Sequence, residues 1–162
     1  MPAKTRKTRT KSKSAKTRSR TIVVRGSEIH GKGVFAARAI AKGERIIEYK
    51  GKLITEEEAD ERYGDDETNH TFLFLLDNDM VIDAYRDGNS ARWINHSCHP
   101  NCEPVEEGNR LYIHAIRNIK AGDELSYAYN LVIEERYTPA IKRLYACRCG
   151  TRQCQGTFLA ER

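Results

Sequence analysis

Three cysteines near the end of the chain are spaced to bind a metal ion. Cys147, Cys149 and Cys154 lie within eight residues of one another, so their thiolates could meet around one ion. Structural zinc sites take four ligands in a tetrahedron, and a fourth ligand must therefore come from elsewhere. The candidates lie about fifty residues earlier and are Cys98, Cys102, His96 and His99. The alternative is that the three cysteines are free buried thiols.

Disulfide bonds are not expected among the five cysteines. Their number is odd, and residues 1–20 contain no apolar stretch of the kind that an export signal requires. Disulfide frameworks belong mainly to exported proteins. No apolar run approaches the roughly 20 residues that cross a bilayer, so we expect an intracellular protein with no membrane partner.

A dense polar segment, residues 88–102, is the second candidate for chemistry. It contains the histidines and cysteines just named and the only tryptophan of the chain, Trp93. Such polar groups are costly to bury unless each is paired, so the segment is either a surface loop or a site. A single histidine such as His96 is more often structural than functional. The neighbours His96 and Ser97 suggest a hydrolase only weakly, because adjacent residues rarely form a triad and the G-x-S-x-G motif is absent.

A short glycine-rich segment runs from His30 to Gly33. It matches neither the G-x-x-x-x-G-K-[ST] pattern of phosphate loops nor the G-x-G-x-x-G pattern of dinucleotide-binding loops. On its own this segment assigns no ligand.

Short strands must position these segments. Strand patterns occur at residues 21–25, 45–49, 71–76, 80–84 and 110–116, with a turn at 77–79. Thr55 and Glu58 are spaced as a capping box, which predicts a helix that ends near Tyr63 and Gly64. The fold is therefore predicted to be mainly β with few short helices.

One short pattern occurs twice, 79 residues apart. The pattern R-x-I-x-x-G-[ED] begins at Arg38 and again at Arg117. In both copies a glycine and an acidic residue precede an apolar strand, which suits a reversal of the backbone. Two copies are too few for a solenoid, and chance similarity is the alternative.

Charge is divided unevenly along the chain. The 28 Lys and Arg against 23 Asp and Glu give a net charge of +5, but residues 1–20 hold nine of the basic residues and no acid. The rest of the chain therefore carries a net charge of −4. Twelve carboxylates lie between Glu56 and Asp87. Such a run is usually a solvated face, although it could also attract a basic polypeptide substrate.

Residues 1–20 are predicted to form a disordered basic tail, because they cannot bury enough apolar surface to offset the entropy of ordering. The tail has three interpretations: a solubilising segment, a localisation signal, or an arm that contacts nucleic acid without sequence preference. Recognition of single strands has less support, because the tail has no aromatic side chain to stack on bases.

Taken together and in order, these segments resemble the SET-domain family of protein-lysine methyltransferases, and more closely its trithorax-type branch. The resemblance extends from Thr21 to about Leu159. The segments that carry it are residues 30–35, Glu48-Tyr49-x-Gly51, Ile82-Asp83-Ala84, residues 92–102, residues 122–129 and residues 147–156.

This resemblance implies a β-clip-like SET domain at residues 21–135 and a zinc-binding post-SET segment at residues 136–162. Residues 95–98 would thread beneath a C-terminal loop as a pseudoknot, an exception to the usual unthreaded connections. Cys98 would be the fourth zinc ligand beside Cys147, Cys149 and Cys154, which leaves Cys102 as a free thiol.

The implied activity is methyl transfer from S-adenosylmethionine to the side-chain amine of a lysine in a histone or histone-like protein, with a non-histone protein as the alternative substrate. Tyr129 matches the catalytic tyrosine of the family, and Tyr49 is expected to help wall the lysine channel. Tyr127 occupies the position that carries either Phe or Tyr. A hydroxyl there takes up space and favours mono- or dimethylation.

The resemblance also implies a set of cofactor-binding residues, namely His30, Lys32, Gly33, Phe72, Asn95, His96, Phe158 and Leu159. Phe72, Trp93 and Ala128 depart from the Tyr, Phe and Asp that are commoner in the family. Two other classes of protein remain open: a non-catalytic zinc-stabilised module that tethers chromatin, and a nucleic-acid-binding protein, which the negative domain disfavours. The cellular setting would be chromatin or a bacterial nucleoid.

Overall fold

The computed structural model describes residues 20–64 and 72–161, so nearly all of the basic tail lies outside the described residues. The described residues form ten strands, two α-helices and a 3₁₀ helix at Ser90–Trp93. In chain order the elements are β1 (Ile22–Gly26), β2 (Lys32–Ala36), β3 (Arg45–Tyr49), β4 (Lys52–Thr55), α1 (Glu56–Tyr63), β5 (Leu73–Leu75), β6 (Met80–Asp83), β7 (Asn95–His96), β8 (Cys102–Glu107), β9 (Arg110–Ala115), β10 (Ser126–Tyr127) and α2 (Pro139–Leu144). The predicted fold class, mainly β with few short helices, is confirmed.

The strands form four small sheets. β1 and β2 make an antiparallel pair, and two antiparallel three-stranded sheets have the orders β3-β9-β8 and β4-β6-β5. The fourth sheet pairs β7 with β10 in parallel, so Asn95 lies opposite Ser126 and His96 lies opposite Tyr127. This pair brings the polar segment beside the tyrosines near the end of the domain. None of the described helices is long and apolar enough to cross a membrane.

The capping box forms as predicted at the start of α1. The Thr55 hydroxyl accepts a hydrogen bond from the backbone N–H of Glu58, and the Glu58 carboxylate accepts one from the backbone N–H of Thr55. These two bonds satisfy N–H groups that the first turn of a helix leaves without partners. Ala59 packs on Ile54 and Val81, which fixes the helix against the β4-β6-β5 sheet.

The main hydrophobic core lies between the β2 segment and the β3-β9-β8 sheet. Val34, Tyr49, Leu111, Ile113 and Leu125 are each at most 2% exposed. Burying side chains of this size contributes about 1.5–3 kcal/mol each by transfer from water. Ala91, Ile94 and Cys102 of the polar segment belong to the same core, which holds that segment in place.

The two copies of the repeated pattern pair with each other. The backbone N–H of Ile40 donates to the carbonyl of Ile119 across 2.9 Å, and the reverse bond has the same length. Gly43 and Gly122 both adopt positive φ angles, 84° and 92°, that favour glycine. The two copies of the pattern therefore pair with each other as equivalent turns. Their similarity has a structural role that chance similarity would not explain.

The strand at β8 was not predicted. This segment contains three glutamates and Pro104, and neither is typical of a strand interior. β8 is an edge strand that pairs only with β9, and an edge position tolerates a proline because one side of the strand needs no N–H donor.

Candidate functional site

A cavity of about 650 Å³ lies where most of the predicted cofactor-binding residues meet. The predicted residues on its walls are His30, Lys32, Phe72, Asn95, His96, Tyr129 and Phe158. They come from segments that span most of the described chain, from the turn before β2 to the last residues. Folding therefore assembles one site from residues that are far apart in sequence.

Gly33 and Leu159 do not line this cavity, although both were predicted to bind the cofactor. Gly33 packs behind the loop, where an added Cβ atom would lie 2.3 Å from a carboxylate oxygen of Glu124. Leu159 is 3% exposed and forms a parallel bridge with Leu131. Their contribution to cofactor binding remains a prediction.

The imidazole of His96 is held in one tautomer. Its Nδ1 accepts a hydrogen bond from the backbone N–H of Tyr129 across 3.0 Å, so the ring proton sits on Nε2. Nε2 faces the sulfur of Cys98 at 3.4 Å. Burial lowers the pKa of His96 to about 4, so the ring is neutral at pH 7.

An aromatic cluster lies beside the cavity and shares Tyr129 with it. The ring centroids of Tyr127 and Tyr129 are 5.0 Å apart, those of Phe74 and Tyr127 are 6.5 Å apart, and those of Tyr49 and Phe74 are 5.9 Å apart. Burial raises the pKa values of Tyr49, Tyr127 and Tyr129 above that of an ordinary tyrosine. The tyrosines are therefore neutral hydrogen-bonding groups rather than bases.

The hydroxyl groups of Tyr49 and Tyr129 differ in their partners. The Tyr129 hydroxyl donates to the carbonyl oxygen of Ile94 across 2.7 Å. The Tyr49 hydroxyl is buried and has no hydrogen-bond partner among the described residues. A buried polar atom without a partner is costly, and its presence in a native structure calls for an explanation such as a catalytic role or a bound water or ion.

Cationic and aromatic side chains cluster at another part of the cavity wall. The ammonium of Lys32 lies 4.8 Å from the centre of the Trp93 ring, and the guanidinium of Arg92 lies 4.9 Å from it. The ring of Phe72 meets Trp93 edge-on with centroids 5.0 Å apart. This wall suits a ligand with both an apolar part and an anionic group.

Several residues on the cavity wall were not predicted, including Tyr85, Arg92, Trp93, Arg143 and Arg148. Arg92 and Trp93 belong to the polar segment that the sequence singled out, and Arg148 lies between two of the cysteines. Position within those segments is the signal that the sequence offered for these three residues, and it offered none for Tyr85 and Arg143.

The structure brings Cys98 together with Cys147, Cys149 and Cys154. Their four sulfur atoms lie within 4.8 Å of one another, and those of Cys98 and Cys147 are 3.7 Å apart. Sulfur atoms at the corners of a zinc tetrahedron are about 3.8 Å apart, given a Zn–S distance of about 2.3 Å. The donor set and its spacing therefore fit zinc.

Backbone N–H groups support these thiols. The N–H of Gln155 donates to the sulfur of Cys98, and the N–H of Gly156 donates to the sulfur of Cys154, each at 3.4 Å. Such donors stabilise the thiolate form that a metal needs. Of the other fourth-ligand candidates, Cys102 is buried on β8 and the ring of His99 contacts Arg117. Nε2 of His96 contacts the sulfur of Cys98, but His96 is not part of the four-sulfur cluster.

Comparison with known proteins agrees with this geometry. A model of the SET domain matches residues 31–130. The chain is 38% identical over 139 residues to the human histone-lysine N-methyltransferase SETD1B, which covers 82% of this chain and 7% of that protein. It is 38% identical over 135 residues to the histone-lysine N-methyltransferase trithorax of Drosophila virilis, covering 80% of this chain and 3% of that protein. With the human histone-lysine N-methyltransferase 2B it shares 39% identity over 146 residues, which cover 86% of this chain and 5% of that protein.

The chain thus spans less than a tenth of the length of these relatives. The match covers the glycine-rich segment, the polar segment and the tyrosines, and it confirms the resemblance found in the sequence. This chain belongs to the SET-domain family.

Proposed function

We propose that this protein transfers a methyl group from S-adenosylmethionine to the side-chain amine of a lysine in a protein substrate. The observation that carries the proposal is the position of Tyr129. This residue lines the cavity and also belongs to the aromatic cluster, so it stands between the two places where a cofactor and a lysine would bind.

The cavity fits S-adenosylmethionine in size and in chemistry. Its volume lies within the roughly 300–1,000 Å³ that small-molecule sites occupy. Lys32 and Arg92 are cations that would bind the carboxylate of the cofactor, and Trp93 and Phe158 offer apolar faces for its ring system. When bound, S-adenosylmethionine supplies a methyl group on a positively charged sulfur.

The aromatic cluster provides a route for the lysine side chain. Tyr49, Tyr127 and Tyr129 are buried or nearly so, and their apolar rings suit the four methylenes of lysine. The Tyr49 hydroxyl, which has no hydrogen-bond partner among the described residues, would form a hydrogen bond with the arriving amine. The amine must be neutral to react, because an ammonium has no free electron pair.

Tyr129 is proposed to act by orientation. Methyl transfer is an in-line displacement, so most of its rate comes from the alignment of the two reactants. The raised pKa of Tyr129 excludes it as a strong base at pH 7. Its hydroxyl can polarise the site and hold the amine on the line of attack.

Tyr127 is proposed to limit the number of methyl groups that are added. Its ring is 4% exposed and lies against the rings of Tyr129 and Phe74. A hydroxyl in so closed a space leaves little room for a trimethylated amine. Mono- or dimethylation is therefore the proposed outcome.

A zinc ion on Cys98, Cys147, Cys149 and Cys154 is proposed to fix the post-SET segment, residues 136–162, against the SET domain at residues 21–135. Cys147 and Phe158 line the cavity, so the metal would anchor part of the cofactor site. The predicted threading of residues 95–98 belongs to the same proposal.

The proposed substrate is a histone or a histone-like basic protein. The relatives named above are histone-lysine methyltransferases, and α1 presents three glutamates in its first turn. Such a substrate implies that the protein acts in chromatin. The relatives named are animal proteins, which give no support to a bacterial setting.

The test incubates the protein with labelled S-adenosylmethionine and purified histones, with Tyr129→Phe in parallel. Transfer by the native protein that falls sharply in the variant is expected. Absence of transfer by a folded, zinc-loaded protein to any basic substrate would favour a non-catalytic tethering module.

The predicted contact of residues 1–20 with nucleic acid is a separate proposal. Deletion of these residues should weaken DNA binding while sparing methylation of a short peptide.

A further inference from the structure

Glu124 lies behind the cavity and was not among the predicted site residues. One of its carboxylate oxygens accepts two hydrogen bonds, from the hydroxyl of Ser27 across 2.7 Å and from the side-chain amide of Asn95 across 2.9 Å. Ser27 follows β1, Asn95 opens β7, and Glu124 precedes β10. The carboxylate therefore joins three segments that are distant in sequence.

The backbone of Glu124 is fixed independently of this carboxylate. Its carbonyl oxygen accepts a hydrogen bond from the side chain of Asn101 across 2.8 Å, and its main chain forms a bridge with Phe35 on β2. Because the main chain is held on two sides, the side chain of Glu124 has a defined direction towards Asn95.

The side-chain amide of Asn95 faces the glycine-rich loop. Its Nδ2 lies 3.0 Å from the carbonyl oxygen of Lys32 and 3.3 Å from that of His30, in addition to the oxygens of Glu124 and Ser27. An amide has only two N–H hydrogens, and a charged acceptor forms the stronger bond with them. The Glu124 carboxylate thus fixes the orientation of the Asn95 side-chain amide. The direction of its side-chain oxygen, Oδ1, is fixed at the same time.

The Glu124 carboxylate also explains why position 33 is occupied by a glycine. An added Cβ atom would lie 2.3 Å from the Glu124 oxygen and 2.9 Å from the Cβ of Ser27. The end of a glutamate side chain can usually move aside, but this one is held by Ser27 and Asn95. The glycine therefore allows the backbone of the glycine-rich loop to lie close to the Glu124 carboxylate.

We propose that Glu124 is a positioning residue that orients the Asn95 amide and holds the glycine-rich loop, and thereby sets the affinity for the cofactor. This inference rests on the proposed function, because it assigns Asn95 and the loop to the S-adenosylmethionine site. Ser27 acts in the same network as the second group that holds the carboxylate.

The test measures binding of S-adenosylhomocysteine by titration calorimetry, which needs no catalysis. Glu124→Ala should weaken binding about tenfold, and Glu124→Gln only about threefold, because its amide oxygen can still accept both hydrogen bonds. At saturating S-adenosylmethionine, kcat of Glu124→Ala should change much less than the KM for the cofactor. Asp123→Ala is the matched control, since its carboxylate caps the neighbouring turn at Lys120 and does not reach Asn95.

Three results would overturn the inference while leaving the proposed function intact: native-like binding by a folded Glu124→Ala, equal losses in Glu124→Gln and Glu124→Ala, or an equal loss in Asp123→Ala. Failure of the native protein to bind S-adenosylhomocysteine would instead contradict the proposed function. If Glu124→Ala does not fold, Ser27→Ala tests the same network with a smaller change, for which an increase in Kd of about threefold is expected.

A double-mutant cycle gives an independent check. Gly33→Ala should weaken binding in the native background by displacing the carboxylate, and less when Glu124 is already alanine, where only the close contact with the Cβ of Ser27 remains. Non-additivity of this kind is the signature of residues in direct contact. Additive losses would contradict the coupling of Gly33 to Glu124.

Discussion

The Tyr129 hydroxyl donates a hydrogen bond to the carbonyl oxygen of Ile94, the residue that directly precedes Asn95. The backbone N–H of Tyr129 donates to the ring of His96 on the same short segment. Tyr129 is thus tied at two points to residues 94–96, of which Asn95 and His96 line the cavity. Its orientation and the shape of the cofactor site depend on the same contacts.

Replacing Tyr129 with phenylalanine should lower kcat about 100-fold or more, because small losses of alignment have effects of this size. The free energy of unfolding should fall by only about 1 kcal/mol, from the lost hydrogen bond to Ile94. Steady-state kinetics and thermal unfolding separate these effects. Tyr112→Phe, a nearly buried tyrosine on β9 away from the cavity, should keep full activity. Equal loss in both variants would contradict a specific role for Tyr129.

The pH dependence of the rate should report the substrate lysine rather than Tyr129. Burial, reinforced by the charge of Glu124, raises the pKa of Tyr129, so the phenol keeps its proton in alkaline solution. A lysine amine has an ordinary pKa of about 10.4, and kcat/KM should therefore rise between about pH 7 and 10 without a descending limb. Measurement of kcat/KM over this range checks the expectation. A fall in rate below about pH 10 that disappears in Tyr129→Phe would contradict it.

Tyr127→Phe should raise the final methylation state of the product. Removal of the hydroxyl leaves space in the aromatic cluster for further methyl groups. Mass spectrometry of the products after long incubation distinguishes the states, with the native protein giving mainly mono- and dimethylated lysine. Efficient trimethylation by the native protein would show that Tyr127 does not set this limit.

Zinc removal should expose four cysteines and leave the fifth unreactive. Cys102 is buried within the hydrophobic core, where iodoacetamide does not reach its thiol, whereas the other four cysteines are partly exposed. Treatment with a chelator followed by iodoacetamide and peptide mapping should label Cys98, Cys147, Cys149 and Cys154. Cys98→Ser should lose zinc, as measured by elemental analysis, whereas Cys102→Ala should retain it. Stoichiometric zinc in Cys98→Ser would contradict the ligand set.

The sequence predicted elements whose signals are local. The capping box of Thr55 and Glu58 depends on residues three apart, and α1 ends at Tyr63 as expected. Strands form at Arg45–Tyr49 and Arg110–Ala115 close to the predicted bounds. The alternation predicted for the second strand is absent, because Leu111, Tyr112 and Ile113 are all buried in the core. The repeated pattern was visible too, but its meaning was not, because the pairing of Ile40 with Ile119 joins residues 79 apart.

The site was predicted only where residue types matched the family. The cysteines show why, since their spacing left four candidates for the fourth ligand and only the fold brings Cys98 within reach. Glu124 lies in the segment 122–129 that resembles the family, but nothing in the sequence assigned it to the site. Its two contacts with Ser27 and Asn95 exist only in the folded chain, where separations in sequence no longer matter.

The most direct test of the central claim identifies the atom that receives the methyl group. Histones are incubated with the native protein and with S-adenosylmethionine carrying a deuterated methyl group, and modified peptides are then sequenced by tandem mass spectrometry. The deuterated methyl group is expected on the side-chain nitrogen of lysine, with little product from Tyr129→Phe. Label on arginine or on carboxylates, or equal labelling of lysine by Tyr129→Phe, would contradict it.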